Sequence, residues 1–184
     1  MGSAAMQTSD HQQLGMELRQ AMRGLASSVS LIASTDDSGN RFAMTATSVT
    51  SLSMDPPSML VCINRGAAFN KVMQGGRGFS INILCADHLA LARLCSSRAY
   101  GEERFAQGQW RRDERGTPFL ADAQAAVVCI PDARYAYGSH DIFVGKVVTV
   151  HLGEAIDPLV YADGSYRVLK EDVLDLPRAY AAPG

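Results

Sequence analysis

The sequence has almost no net charge: 17 lysines and arginines stand against 19 aspartates and glutamates, a formal −2. That excludes the basic field a nucleic acid needs and the polybasic stripe that draws a chain to anionic membrane. Its four cysteines, Cys62, Cys85, Cys95 and Cys129, lie far apart with no C-x-x-C among them. They read as free thiols rather than a disulfide framework. Its four histidines show neither H-x-x-x-H nor Cys/His ligand spacing, so no metal site is expected. No apolar run approaches the roughly 18 residues that cross a bilayer. The opening MGSAAMQTSDHQQ lacks the charged-then-apolar order of a signal peptide. These absences together point to the cytoplasm, with no nucleic acid and no membrane as partner.

What is present suits one domain. The chain has 184 residues, 47% of them hydrophobic, enough for one sizeable core and short for two. Residues 1–12 are expected to be a disordered tail or residues left from cloning, 13–170 the folded domain, and 171–184 a C-terminal tail. Leu14, Leu18, Met22 and Leu25 fall on one stripe and predict an amphipathic helix over 13–25. SVSLIAST and RFAMTA flank the turn cluster DDSGN and predict a hairpin. SMLVCIN, FSINIL, AQAAVVCI, DIFVGKVVTVHL, PLVYA and SYRVL supply further strands, with PDARYAYGSH read as a separator. Short helices are expected at 68–74, closed by Gly75-Gly76, and at HLALARLCSS, with a third, weaker one at EERFAQ. Without regular βαβ alternation, this order predicts a mainly β, barrel-like antiparallel sheet with peripheral helices.

The stretch AMTATSVTSLSMDPPSMLVCIN is the most unusual. From Thr45 to Ser53 six side chains carry a small hydroxyl: Thr45, Thr47, Ser48, Thr50, Ser51 and Ser53. Ala46, Val49 and Leu52 recur every third residue, matching neither a strand nor a helix face. So many hydroxyls compete with backbone hydrogen bonds and disfavour a helix. A flavin suits such a loop: small side chains let the backbone reach the ring edge, and hydroxyls donate to and accept from the ribityl arm. After the next strand, Asn64, Arg65, Gly66 and Lys71 at a helix start offer a place for a phosphate. Ser80 and Asn82 alternate with Phe79 on FSINIL, giving that strand a polar face for the same ligand. By composition alone, such a run is more often a solvated strand or loop than a cofactor site.

In this order, MTATSVTSLSMDPPSMLVCINR, GRGFSINIL, EERFAQGQW, GSHDIFVGKV and PLVYADGSYR resemble the flavin reductase family that supplies reduced flavin to two-component monooxygenases. The resemblance runs from about Leu18 to about Leu169. It implies a split β-barrel of Greek-key type that works as a homodimer, with FMN, or FAD, near the subunit interface. It places Thr45, Ala46, Thr47, Ser48, Val49, Ser51, Leu52 and Ser53 against the ring and ribityl arm. Cys62, Ile63, Asn64 and Arg65 go to the ribityl and phosphate, and Phe79, Ser80, Asn82 and Tyr166 line the pocket. Arg65, Lys71 and Arg77 are the candidate phosphate partners.

The family's nicotinamide motif, often G-D-H, stands here as Gly138-Ser139-His140, with Ser139 where a carboxylate is usual. His140 is the implied catalytic residue, donating a hydrogen bond to the nicotinamide or a proton beside the flavin. Read without the family, it is a histidine at a strand start satisfied by backbone. The activity implied is hydride transfer from NADH or NADPH to flavin, the product passing to a separate oxygenase. Three other readings stay open. One is a reductase whose bound flavin serves another acceptor, such as a quinone, a ferric complex or a corrinoid. The second is a non-enzymatic flavin-binding module, and the third a purely structural barrel.

Overall fold

The computed structural model describes residues 2–97, 99 and 101–169. The C-terminal tail expected at 171–184 lies outside the described residues. Helix α1 is Gly2–Met22, reaching further towards the N-terminus than the apolar stripe required. After it come β1 (Ser27–Ser28), β2 (Ser30–Thr35), β3 (Arg41–Ala46), β4 (Val49–Met54), β5 (Pro57–Asn64), α2 (Ala68–Gln74) and β6 (Phe79–Ile83). A 3₁₀ turn at Ala86–His88 leads into α3 (Leu89–Ser96), and a second one covers Gly101–Phe105, where a weak helix was expected. Then follow β7 (Trp110–Arg112), β8 (Pro118–Leu120), β9 (Ala125–Tyr137), β10 (His140–Leu152), β11 (Leu159–Ala162) and β12 (Ser165–Val168).

Seven strands make the main sheet in the order β3-β2-β6-β9-β10-β5-β4, every pair antiparallel. Its two edges, β3 and β4, are consecutive in the chain and separated only by Thr47 and Ser48. Two residues cannot bridge a flat sheet of seven strands that sit nearly 5 Å apart. The sheet must therefore curl until its edges meet, and since β3 and β4 do not pair, it stays open there. This is the expected split barrel, and the hydroxyl run is its seam.

The curl explains the core. Side chains alternate across β2, so Ile32 joins Val61, Ile63, Phe69, Phe79, Ile81, Cys129 and Phe143 in one cluster. Leu31 and Ala33 point the other way, to Val29, Leu84, Leu91, Ala92, Leu120 and Leu159 beneath α3 and β8. All six residues of β2 are buried, because both its faces are covered. Gly145 on β10 is where the first cluster packs hardest. A Cβ there would stand 2.5 Å from Phe79 Cζ and 2.7 Å from Cys129 Cβ.

Two expectations fail instructively. PDARYAY is no separator but the second half of β9, which runs on from the body as an exposed arm paired with β10. Pro131 is tolerated because the ladder slips there: Val144 faces Ala133 while Gly145 faces Pro131, leaving Asp132 as a bulge. The stripe predicted on the first helix finds no core: Leu14, Leu18, Met22 and Leu25 remain 50–62% exposed, and Leu25 lies beyond the end of α1. Leu18, Met22 and Leu25 line an apolar groove of 440 Å³ against Tyr161–Gly164, where Arg23 bonds Asp163 at 2.8 Å.

Candidate functional site

Two surface grooves meet at Thr47. The first, 310 Å³, is lined by Thr45, Ala46, Thr47, Ser96, Tyr161, Gly164 and Tyr166. The second, 450 Å³, holds Thr47, Val49, Thr50 and Ser51 on one side and Ser27, Ser28, Ser30, Met59, Ile83 and Val127 on the other. Neither lining contains a carboxylate.

Hydrogen bonding divides the hydroxyl run. Thr45 Oγ1 donates to the Ala92 carbonyl at 2.8 Å and ties β3 to α3. Ser48 Oγ donates to the Cys62 carbonyl at 3.0 Å, while Cys62 N–H donates back to the Ser48 carbonyl at 3.1 Å. Ser53 closes its own turn, donating to the Asp55 carbonyl and accepting from Asp55 N–H. Thr50 donates to the Ser51 carbonyl. That leaves Thr47 and Ser51, both exposed, as the hydroxyls of the run with no side-chain hydrogen bond among the described residues. Small side chains, two tyrosines and hydroxyls still able to donate fit a flat ring with a polar edge, so the seam fits a flavin.

Next to the seam, β5 carries Cys62, Asn64 and Arg65 to the start of β10. His140 pairs with Asn64 in the ladder, and the Arg65 N–H donates to the Ser139 carbonyl at 2.9 Å. The turn after β5 uses up several of its own donors. Asn64 Oδ1 accepts from Gly66 N–H at 2.7 Å, and the Asn64 carbonyl accepts from Ala67 N–H at 3.0 Å. Any attraction for an anion therefore falls to the exposed Arg65 and Lys71, which no ion pair among the described residues engages. Arg77 is occupied elsewhere, by Thr35 Oγ1 at 3.2 Å and Asp37 at 3.7 Å.

Gly138 and Ser139 form the two-residue loop joining β9 to β10. Gly138 has φ +52° and Ser139 does not share the positive value, the pattern in which glycine leads a tight hairpin. Ser139 Oγ lies 2.9 Å from His140 Nδ1. A carboxylate there could only accept and would hold a proton on Nδ1; a hydroxyl can donate or accept, leaving the ring free to change tautomer. The loop and His140 are exposed and line neither groove; they stand at the end of the β5–β10 pair.

Several residues expected at the site are elsewhere. Phe79, Ser80, Asn82 and Ile63 are at most 1% exposed. Ser80 Oγ donates to the Pro118 carbonyl at 2.6 Å, and Asn82 donates to the Leu31 carbonyl and accepts from Leu120 N–H. The polar face of β6 meets β8 rather than a ligand, its hydrogen bonds spent on fastening β8 to the sheet. Conversely Ser96, Tyr161 and Gly164 line the first groove with Thr45 and were not expected there. No local pattern marks them, because α3 and the β11–β12 hairpin reach the seam only through the tertiary fold.

Comparison with known proteins agrees with this geometry. The family described as flavin reductase like domain matches residues 22–170. The reductase component of an FADH2-dependent resorcinol hydroxylase from Rhizobium sp. (strain MTP-10005) is 36% identical over 154 residues, 83% of this chain and 86% of that one. The FMN reductase (NADH) RutF of Agrobacterium fabrum (strain C58 / ATCC 33970) is 37% identical over 166 residues, 90% and 95% of the two chains. Among solved structures, BorF, the flavin reductase component of a bacterial two-component tryptophan halogenase, superposes with a TM-score of 0.77 at 33% identity. That match covers 84% of this chain and 98% of BorF.

Proposed function

The chain belongs to the flavin reductase-like family, and from that premise we propose that it is an NADH-dependent flavin reductase. It reduces FMN, or FAD, and supplies the reduced flavin to a separate oxygenase. The observation that carries this reading is the open seam, where Thr47, shared by two grooves without carboxylates, and Ser51, in the second of them, keep their hydroxyls exposed.

The residues have distinct tasks. Thr47 and Ser51, with the backbone from Thr45 to Ser53, hydrogen-bond the flavin, while Tyr161 and Tyr166 flank it from the first groove. Arg65 and Lys71 neutralise a phosphate, and Asn64 shapes the turn that presents them. Gly138, Ser139 and His140 receive the nicotinamide, His140 by donating a hydrogen bond to it. Bound flavin supplies the two-electron chemistry by accepting hydride. The protein's part is to hold the two rings together.

A homodimer belongs to the same proposal: the exposed stripe of α1 and its neighbouring groove are apolar surface of the kind a second copy covers. Location in the cytoplasm follows from the donor, NADH. The test is NADH oxidation by the purified chain with and without added FMN, FAD or riboflavin. Oxidation that requires added flavin supports the reading. Flavin binding without NADH oxidation overturns it in favour of a binding module.

A further inference from the structure

Away from the seam, Cys85, His88 and Asp122 stand in line at a separate groove. Cys85 Sγ is 3.0 Å from His88 Nδ1, and His88 Nε2 is 3.6 Å from Asp122 Oδ2. The Cys85 backbone N–H also points at Nδ1, at 3.4 Å, so that nitrogen is an acceptor and the ring proton sits on Nε2, towards Asp122. The thiol therefore donates to the imidazole. The sulfur in turn accepts the backbone N–H of His88, a donor placed where negative charge collects once the thiol proton leaves. A nucleophile and a base thus stand within hydrogen-bond reach of each other, with a carboxylate 3.6 Å behind the base. Cys85 lines a groove of 240 Å³ together with Asp87, Asp122, Glu154 and Asp157, while His88 lies buried behind it at 8% exposure.

We propose that Cys85 is a nucleophilic thiol and the site at which this chain is modified by hydrogen peroxide and other small uncharged electrophiles. His88 Nδ1 takes the thiol proton and the sulfur attacks one peroxide oxygen. An S–O bond forms as the O–O bond breaks; the sulfur is oxidised by two electrons to sulfenic acid. The hydroxide that leaves takes the proton from the imidazolium and departs as water. Reduced flavin reoxidised by dioxygen yields peroxide, a source that rests on the flavin reductase reading; the reactivity of the thiol does not. The four carboxylates around the groove repel anionic reagents and set the preference for neutral ones.

The other cysteines serve as internal references. Cys95 and Cys129 are buried, and burial pushes their thiols up to about 11 and about 12, keeping them protonated. Cys62 is half-buried, with no histidine bonded to its sulfur among the described residues. His88 also caps the 3₁₀ turn through the Cys85 backbone. Glutamine fills that capping position equally well but is no base, so His88→Gln separates the two roles.

The experiment is peptide mapping by mass spectrometry of the full chain alkylated at neutral pH with iodoacetamide or iodoacetate. A parallel sample is treated with hydrogen peroxide and dimedone. Cys85 is expected to react with iodoacetamide about tenfold faster than Cys62, because Cys85 has a base placed to take its thiol proton and Cys62 has none among the described residues. It should take the dimedone tag and prefer iodoacetamide over iodoacetate more strongly than Cys62 does. His88→Gln, with an unchanged circular dichroism spectrum, should remove most of that advantage, and Asp122→Asn part of it. Equal rates at Cys85 and Cys62, or a Cys85 rate untouched by both substitutions, would overturn the proposal. Neither flavin nor NADH enters the assay, so its failure is distinct from failure of the flavin reductase reading.

Discussion

The Arg65 N–H donates to the Ser139 carbonyl at 2.9 Å. This one bond joins the turn proposed to face the flavin phosphate to the loop proposed to receive the nicotinamide. It makes the two ends of the reaction parts of one rigid corner, where β5 ends and β10 begins.

Arg65→Gln keeps that backbone bond and removes only the charge. It is expected to raise the Kd for FMN about tenfold and leave riboflavin binding unchanged, as loss of a charged hydrogen bond to phosphate does. Fluorescence titration with the two flavins checks this. Equal weakening of both would place Arg65 away from the phosphate.

His140→Ala is expected to lower kcat/KM for NADH about tenfold, the value of a lost hydrogen bond to a polar ligand, with the flavin KM unchanged. Ser139→Ala should cost less, because Nδ1 loses a partner while the ring stays in place. Steady-state kinetics with each substrate varied in turn separates these effects.

Gly145→Ala tests the packing of the barrel. Its Cβ would enter the space of Phe79 and Cys129, both buried. A loss of about 1–3 kcal/mol is expected, the usual cost of overpacking a filled core, measured as a lower urea midpoint at unchanged m-value.

Alkaline pH should weaken the fold through the buried thiols. Cys95 and Cys129 are raised by desolvation from 9.0 to about 11 and about 12. Above pH 9 the unfolded chain gives up thiol protons that the folded chain keeps, so the unfolded state binds fewer and stability falls with rising pH. The contribution is complete below pH 9 and lost on the way to 11 and 12. Urea midpoints at pH 8 and 10.5 should therefore differ less in Cys129→Ala than in the wild-type chain.

Much of this was legible in the sequence because the signals are local. The β2–β3 hairpin announced itself through DDSGN, α2 through Gly75-Gly76, and the seam through its hydroxyls. The role of Ser80 and Asn82 was not legible: alternation shows that a strand has a polar face, but not whether solvent, ligand or another strand meets it. Here β8, nearly forty residues later, accepts and donates those bonds. Tyr161 and Ser96 were hidden for the same reason, as their place at the groove depends on how distant elements pack. PDARYAY misled through its proline, which a bulge absorbs.

The most direct test of the seam is equilibrium titration of FMN into the wild-type chain and into Thr47→Val and Ser51→Ala. These substitutions remove the two exposed hydroxyls that make no side-chain hydrogen bond among the described residues, while sparing those that do. If the seam cradles the flavin, each variant should bind about tenfold more weakly, the loss expected when a ligand hydrogen bond goes unmade, with its melting temperature unchanged. Wild-type affinity in both variants would contradict the assignment and send the search for the flavin elsewhere on the barrel.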